Sequence, residues 1–337
     1  MDGTKQTYVD RVEQRGKTDP VGLAPRPGDD ECLRCSRQLA EPRSVAALPP
    51  ADAGLYDSGW CQRTAHRTPA WRHTSEGGFN ARRYRLVEVP EREARRFVER
   101  HHYSHSWPAA RMSLALFEGR HLVGAAVLGV PMHPRVLTNP FPTLDPNSAA
   151  ELSRFVLLDE VPANAESFVL GRLFRLAAAH GLRGLVAFSD PQPRIVAGIP
   201  LLRGHIGHIY RVTAGRYLGR GTRRTITVLP DGTVLTARAQ SKVCRGERGA
   251  MGVHARLCRL GARPLAEMSA GYERTGRDLT PAAWLALALD QIGARKVRHL
   301  GCHRFVWPVG DRSWRRRCPI GMLELPYPVA VDPAVLL

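Results

Sequence analysis

The segment ERHHYSHSW, residues 99–107, places three histidines, a tyrosine and two serines within nine residues. Imidazole and phenol groups at this density can transfer protons, ligate a metal or contact a nucleic acid. His102 and His105 would share one face if the preceding helix continued, whereas Pro108 indicates that it ends nearby. A histidine at a helix end is also a favourable cap. The pattern alone leaves these roles open.

A second chemical candidate is the FSD segment, which ends the apolar run LRGLVAFSD, residues 182–190. Open α/β sheets bind ligands at the carboxyl ends of their strands, so Ser189 and Asp190 are placed for catalysis. The alternative is a turn aspartate before Pro191.

The third candidate is a metal site. Cys32 and Cys35 have the C-x2-C spacing with which one tight turn grips a Zn²⁺ ion, Cys61 is a third thiol, and His66 is the simplest fourth ligand, ahead of His73. Residues 31–75 lack a core of their own, and a structural zinc would stabilise them. The segment also resembles small zinc-ribbon-like modules of actinobacterial and phage proteins. Thiols in a loosely folded region are the alternative.

The charge balance points to a polyanionic partner. Lys and Arg number 49 against 31 Asp and Glu, a net charge of +18, which favours double-stranded DNA over a merely solvated basic surface. Arginines interleaved with tyrosines in residues 207–221, and the RSWRRRC run, could pair with phosphates. The candidate DNA contacts are Arg211, Arg216, Arg220, Arg223, Lys242, Arg315, Arg316 and Arg317.

The polar first thirty residues predict a disordered tail and no secretory leader. Without a long apolar run, no membrane span is expected, and we expect a cytoplasmic protein. In a reducing compartment the seven cysteines favour thiols or metal ligands over disulfides.

Hydrophobic periodicity supplies the elements that would position these groups. It predicts helices over 91–102, 164–181, 252–261 and 281–293, hairpins over 112–130 and 223–238, and strands over 151–160 and 182–190. The order helix, hairpin, strand, helix, strand predicts a mixed α/β domain with a partly antiparallel sheet.

The segment RYLGRG, residues 216–221, fits the R-x-x-G-x-G pattern of acetyl-CoA pyrophosphate loops. Such loops present N–H groups at a helix N-terminus, but a strand-like run follows here, so we interpret the match as chance. At the junction before the 164–181 helix, Asn164 and Ser167 could instead present N–H groups to an anion.

Seven short motifs resemble, in one order, the Mom family of phage DNA-modification proteins: HHYSHSWP, ELSRFVLLD, LVAFSD, GHIYRVTAGRYLG, PDGTV, QSK and HRFVWPV…RRR…LPYP. The resemblance covers about residues 84–330 and implies a GNAT-like fold: a mixed sheet flanked by helices, with LPYP as a final edge strand. It implies conversion of adenine in DNA to an N6-carbamoylmethyl-type derivative that protects phage DNA from restriction, in the host cytoplasm.

By the same resemblance, the active cleft is lined by His102, Tyr103, Glu151, Arg154, Ser189, Asp190 and Tyr210. The donor would be acetyl-CoA or a related molecule, and Fe²⁺ is conceivable as a metal. We expect Asp190 to act as base or amine orienter, Tyr103 or Tyr210 to supply a proton or stack on the base, and Arg154 to hold an anionic donor. Two other classes remain: a DNA-binding protein on an inactive GNAT-like scaffold, and an acyltransferase for a small amine or protein.

Overall fold

The computed structural model describes residues 60–65, 68–202, 204–273 and 279–337. All of them belong to one unit, Val45–Leu337, and the second unit, Met1–Ser44, falls outside the described residues. The predicted tail, Cys32, Cys35 and His66 therefore lie outside the described ranges, and both the zinc site and the domain boundaries remain predictions.

The strands are β1 (Trp60–Ala65), β2 (Thr68–His73), β3 (Tyr84–Glu88), β4 (Ala110–Glu118), β5 (His121–Gly129), β6 (Ala149–Leu157), β7 (Gly184–Ser189), β8 (Arg194–Val196), β9 (Ile199–Leu202), β10 (Arg216–Arg220), β11 (Arg224–Val228), β12 (Val234–Leu235), β13 (Arg295–His299), β14 (His303–Pro308) and β15 (Val335–Leu336). The helices are α1 (Glu91–His101), α2 (Arg135–Thr138), α3 (Ala165–Ala179), α4 (His208–Val212), α5 (Ala237–Arg245), α6 (Ala250–Arg259), α7 (Leu265–Glu273), α8 (Pro281–Gln291) and α9 (Arg312–Arg317). Within the described ranges, no helix has the length and apolar character needed to cross a bilayer.

A seven-stranded sheet in the order β10-β14-β7-β6-β5-β4-β3 forms the centre of the fold. Helix α1 packs on one face, where Phe97 and Val98 contact the strands, and α3 packs on the other through residues such as Leu170 and Leu173. Each helix buries the apolar stripe that its sequence period predicts. The expected α/β class, a mixed sheet flanked by helices, is confirmed.

The parallel pair β6–β7 opens partway along its length. Their register runs from Ala149 opposite Gly184 to Leu152 opposite Ala187, beyond which β7 pairs only with β14. Because two strands that stop sharing hydrogen bonds separate, a gap forms between the carboxyl halves of β6 and β7. This gap is the concave part of the sheet.

A β-bulge in β6 decides which side chains face this gap. Val127 of β5 pairs with Arg154 and Leu128 pairs with Leu152, so Ser153 is an extra residue. Side chains alternate between faces along a regular strand, and one inserted residue reverses the alternation. The bulge therefore brings Glu151 and Arg154 to the same face of the sheet.

Residues 224–299 form a second layer of structure, the inserted module. It contains the sheet β12-β11-β13 and helices α5–α8 around the fully buried Trp284. In the chain it lies between β10 and β14, which are neighbours in the main sheet. The sequence patterns predicted its hairpin and two of its helices, but not β13 or α5, whose residues are mostly polar.

The predicted LPYP edge strand is wrong. Residues 325–328 are irregular, and only a single backbone bond, from Leu325 N to Tyr217 O at 2.9 Å, joins the segment to β10. Pro326 and Pro328 lack the N–H groups that a ladder requires. The main sheet instead ends at β10 and β3.

Candidate functional site

Tyr103, Glu151, Arg154, Asp190 and Tyr210 come together around the gap between β6 and β7. The charges of Asp190 and Arg154 act on the Tyr103 phenol, and those of Tyr103 and Glu151 act on Tyr210. Tyr103 is 45% exposed although protein surrounds it on most sides. A side chain that is deep in the protein and still reaches solvent lines a cleft.

Asp190 accepts three hydrogen bonds at the end of β7. Oδ2 accepts from Arg194 Nη2 at 2.5 Å, and Oδ1 accepts from His299 Nε2 and from Gln192 N, both at 3.0 Å. Burial raises the pKa of this carboxyl, but the His299 hydrogen bond and the Arg194 charge outweigh burial, so the pKa lies below its usual value. Asp190 is thus a fixed anion and a weak base.

His299 enters the site from β13 of the inserted module. Its Nδ1 accepts a hydrogen bond from Gly301 N at 3.0 Å, so the proton of the neutral ring resides on Nε2 and points at Asp190. The ring is 1% exposed. His299 therefore orients the Asp190 carboxylate and cannot at the same time accept a proton from substrate.

Asp190, His299 and Cys302 form a group whose ligand atoms all lie within 4.8 Å of one another. They do not fit a metal ion such as the expected Fe²⁺, because the His299 nitrogen that faces the group carries its proton and the Arg194 guanidinium already neutralises Asp190. Burial, and then the Asp190 charge, raise the pKa of Cys302 to about 12, which keeps the thiol protonated.

His102 packs against Tyr103. The imidazole is buried, accepts a hydrogen bond from Ser104 N through Nδ1 at 3.1 Å, and packs against the Tyr103 ring in a tilted arrangement with a centroid distance of 4.3 Å. Burial, followed by the Arg154 charge, holds the pKa of His102 well below its usual range, so the ring is neutral. Of the two predicted cleft residues, Tyr103 reaches the cleft and His102 positions it.

Three N–H groups of Arg154 donate hydrogen bonds to the chain. Nε and Nη2 bind the carbonyl and hydroxyl of Ser106 at 3.0 and 2.9 Å, and Nη1 binds the Ser153 carbonyl at 2.6 Å. The guanidinium therefore ties the loop that carries Tyr103 to the bulge in β6. Its predicted role of holding an anionic donor or phosphate stays a prediction.

Glu151 is the carboxyl group with the properties of a base. Burial raises its pKa above the usual value, and the charge of Arg154 and a hydrogen bond from Ser153 only partly offset that effect. A base whose pKa approaches the working pH transfers protons efficiently. Tyr210 lies beside it with its ring packed against Phe305 and Trp307, and its predicted role toward the base stays a prediction.

Ser189 lies in a second polar pair behind Asp190. It is opposite His303 in the β7–β14 register, and direct cross-strand partners share a face. Ser189 Oγ and His303 Nε2 are buried without hydrogen-bond partners in the described part of the chain, whereas His303 Nδ1 is bonded to the Tyr217 hydroxyl at 2.7 Å. Burial lowers the pKa of His303 to about 4.

The N-terminus of α3, where Asn164 and Ser167 were expected to receive an anion, is occupied by the chain itself. Arg63 of β1 forms a buried ion pair with Glu166 and donates to the Val161 carbonyl at 3.0 Å. The Ser167 hydroxyl donates to the Asn164 carbonyl at 3.0 Å. The turn where the sequence predicted an anion thus carries an ion pair of the chain itself, and the anion site stays a prediction.

Cys61, the predicted zinc ligand that the structure describes, lies on β1 next to this ion pair. Burial, followed by the Glu166 charge, raises the pKa of its thiol to about 11.

The basic candidates divide into three groups. Arg216 and Arg220 form ion pairs with Glu324 and Asp332, and the Arg211 guanidinium lies over the Tyr327 ring. Lys242 is half-buried on α5. Arg223 is exposed at the site end of the sheet, whereas α9 carries the exposed residues Arg315, Arg316 and Arg317 beyond the far end of β14.

Sequence reasoning missed Arg194, His205, His299, Cys302 and His303. The sequence signal for three of them is the segment HLGCH, residues 299–303, which gathers two histidines and a cysteine next to an apolar strand. Arg194 lies four residues after Asp190 in the chain. The backbone N–H of His205 donates to the Asp190 carbonyl at 2.7 Å, a contact that no local pattern predicts.

Comparison with solved structures finds acetyltransferases with low overall similarity. A tandem GNAT protein from the clavulanic acid biosynthesis pathway is 11% identical, with a TM-score of 0.28, over 44% of this chain and 48% of that chain, about half its length. The aminoglycoside 6'-N-acetyltransferase of Enterococcus faecium is 13% identical, with a TM-score of 0.29, over 41% of this chain and 88% of that one. An N-acetyltransferase of Staphylococcus aureus Mu50 is 11% identical, with a TM-score of 0.27, over 45% and 92%. Similarity at this level carries no argument about activity.

Comparison with curated proteins gives no match. The model of the Mom protein family matches residues 83–261. That span is more than half of the 337 residues and contains Tyr103, Glu151, Arg154, Asp190 and Tyr210, the five side chains that meet at the gap between β6 and β7. The chain belongs to the Mom protein family.

Proposed function

We propose that this protein is a transferase that adds a carbamoylmethyl-type group to the N6 amine of adenine in DNA, and so protects phage DNA from restriction. The observation that carries the proposal is that Glu151 of β6 and Asp190 after β7 flank the gap where these strands stop pairing, with the Tyr103 phenol in the field of the Asp190 charge. A protein that only bound DNA would not need one carboxyl group with a raised pKa and another with a lowered pKa.

The two carboxyls divide the work on the amine. The adenine N6 lone pair is delocalised into the ring, so the amine must lose a proton as the new N–C bond forms. Glu151, with its raised pKa, accepts that proton. Asp190 stays ionised and accepts a hydrogen bond from the same amine, which orients it and stabilises the positive charge that develops on N6.

Tyr103 supplies the complementary donor. Its pKa of about 12 keeps the phenol protonated at neutral pH. As the N6–C bond forms, the bond between the donor's methylene carbon and its leaving group breaks, and the Tyr103 O–H can donate to that leaving group or to the donor's carbonyl oxygen. His102 and Arg154 fix the ring in place, since the His102 ring packs against it and Arg154 anchors its loop. A reaction on N6 also requires the base to leave the duplex, which costs a few kcal/mol.

Mass spectrometry of nucleosides tests the proposal. DNA from cells that express the full chain should contain an adenosine adduct whose mass corresponds to a carbamoylmethyl group. DNA from cells that express Tyr103→Phe, which keeps the ring packed against His102 and removes the hydroxyl, should contain far less of this adduct.

The absence of any adduct, with folded protein and salt-sensitive DNA binding, would leave the inactive-scaffold alternative in its place. Acyl transfer to a small amine or protein, without a DNA adduct, would support the third class.

A further inference from the structure

We propose that the DNA backbone docks on the edge of the inserted module next to the cleft, at Arg223, Arg224 and Arg298, and not on the arginine run of α9. The inference rests on the proposed function, because it names the surface that would bring duplex DNA to the cleft. It separates two exposed basic clusters that charge alone does not distinguish.

The module meets the main sheet at a two-stranded neck beside the cleft. Gly221 N donates to the Cys302 carbonyl at 2.8 Å, and β11 begins opposite the end of β13, with Arg224 paired to His299. The strand that carries Arg298 is thus the strand that delivers His299 to Asp190. A ligand held on this edge lies next to the cleft.

The two backbone segments at the neck approach each other closely. Gly301 has a φ of 98°, and a Cβ there would lie 2.2 Å from the Gly221 carbonyl oxygen. The basic edge and the cleft are therefore held in one fixed arrangement, as docking of a duplex over a catalytic cleft requires.

The cations on this edge lack acidic partners. Arg223, Arg224 and Arg298 are exposed, and no ion pair or hydrogen bond of their side chains occurs among the described residues. Because direct cross-strand partners share a face, Arg224 lies on the face of His299 and Arg298 lies on the face of Thr225. The edge therefore presents unpaired cations on both of its faces, and each can form a charge-assisted hydrogen bond with a phosphate.

Three other basic residues of the module have acidic partners, since Arg238 and Arg245 share Glu247 and Arg256 faces Asp231. The charge of Arg224 reaches the cleft, where it lowers the pKa of Cys302 against the dominant effect of burial. Arg224 is therefore an exposed cation of the module that acts on a residue of the cleft.

The run on α9 is equally charged but lies at the opposite end of the sheet. Strand β14 leads from His303, opposite Ser189 at the cleft, to Pro308, opposite Gly184. At roughly 3.3 Å per residue this is about 17 Å. Trp314 of α9 then donates to the Arg183 carbonyl at 3.0 Å, just before β7 begins. A duplex over the cleft does not need to contact α9.

Two triple variants of the full chain, matched in charge, test the inference: Arg223→Gln/Arg224→Gln/Arg298→Gln and Arg315→Gln/Arg316→Gln/Arg317→Gln. All six residues are exposed, so both variants should keep the thermal unfolding midpoint of the parent. Fluorescence anisotropy would measure binding to a labelled duplex across a salt series. The first variant should lose affinity on the order of 10- to 100-fold at 0.15 M salt, and its log–log salt slope should fall by roughly 2 to 3. The α9 variant should bind as the parent does.

Equal losses in both variants, or a larger loss in the α9 variant, would overturn the inference. Tighter binding of the parent to a single strand than to the duplex would overturn its assignment to duplex DNA. The adenosine adduct is measured in DNA from cells that express the same proteins. An adduct from the parent, with unchanged duplex affinity in the module variant, removes the docking surface and leaves the proposed function. No adduct, with affinity lost only in the module variant, removes the proposed function and leaves the surface.

Discussion

Replacing Asp190 with asparagine tests stability before it tests catalysis. From the sequence, Asp190→Asn is expected to abolish modification and leave the fold intact. The structure changes the second expectation, because Arg194 is 6% exposed and Asp190 is its only acidic partner among the described residues. Its other bond, from Nη1 to the Gly232 carbonyl, is long at 3.4 Å.

An amide at position 190 leaves the Arg194 cation buried without a counter-charge. Breaking a buried ion pair from one side costs about 3–5 kcal/mol, which is a large part of the roughly 5–15 kcal/mol that a typical domain has. The amide also keeps only one acceptor oxygen, so it can serve Arg194 or His299 but not both.

Equilibrium unfolding in urea, followed by circular dichroism, measures this cost. Arg194→Met removes the charge and keeps much of the side-chain volume, so the double variant Asp190→Asn/Arg194→Met should be less destabilised than the sum of the single changes. If Asp190→Asn alone unfolds within about 1 kcal/mol of the parent, the pair behaves as an exposed one and our reading of the site is wrong. Loss of the DNA adduct is attributable to catalysis only in a variant whose unfolding curve shows that it is folded under the assay conditions.

Three further outcomes follow. The apparent rate of modification should rise with pH as Glu151, whose pKa is raised by burial, loses its proton; Glu151→Gln should be nearly inactive and lack this rise, and an unchanged pH–rate profile would refute its role as base. Burial lowers the pKa of His303 from 6.5 to about 4, so the unfolded chain binds protons more readily between these pH values. Acidification from pH 7 to 5 should therefore destabilise the protein by on the order of 2 kcal/mol. Urea midpoints of His303→Gln should depend less on pH, and an equal dependence would count against a buried neutral ring. Gly301→Ala should lower the thermal midpoint, since its Cβ would meet the Gly221 carbonyl at 2.2 Å, and a midpoint equal to that of the parent would show that the neck can relax.

The sequence determined the class of the fold, because hydrophobic periodicity is a local property. The apolar stripe of α1, the β4–β5 hairpin and the buried strand that ends in Ser189 are each set by their own residues. The expected final strand failed for a local reason that the sequence also contained, since Pro326 and Pro328 cannot join a ladder.

The meeting of the site residues was decided by tertiary structure. Tyr103 and Asp190 follow different elements, but the sequence suggested both because each stands at the end of a strongly patterned segment. No pattern could have shown that a bulge turns Glu151 and Arg154 to one face, since register depends on the partner strand.

The division of labour at the cleft was likewise set by the fold. Asp190 and Glu151 are both carboxyl groups, and only their surroundings give one a lowered and the other a raised pKa. The pKa of Asp190 is lowered by Arg194, which lies on β8, and by His299, which lies on the inserted module. Charge alone pointed to α9 as a DNA contact, whereas the distance along β14 separates that helix from the cleft, because a sequence records how many charges a chain carries and only the folded chain records where they lie.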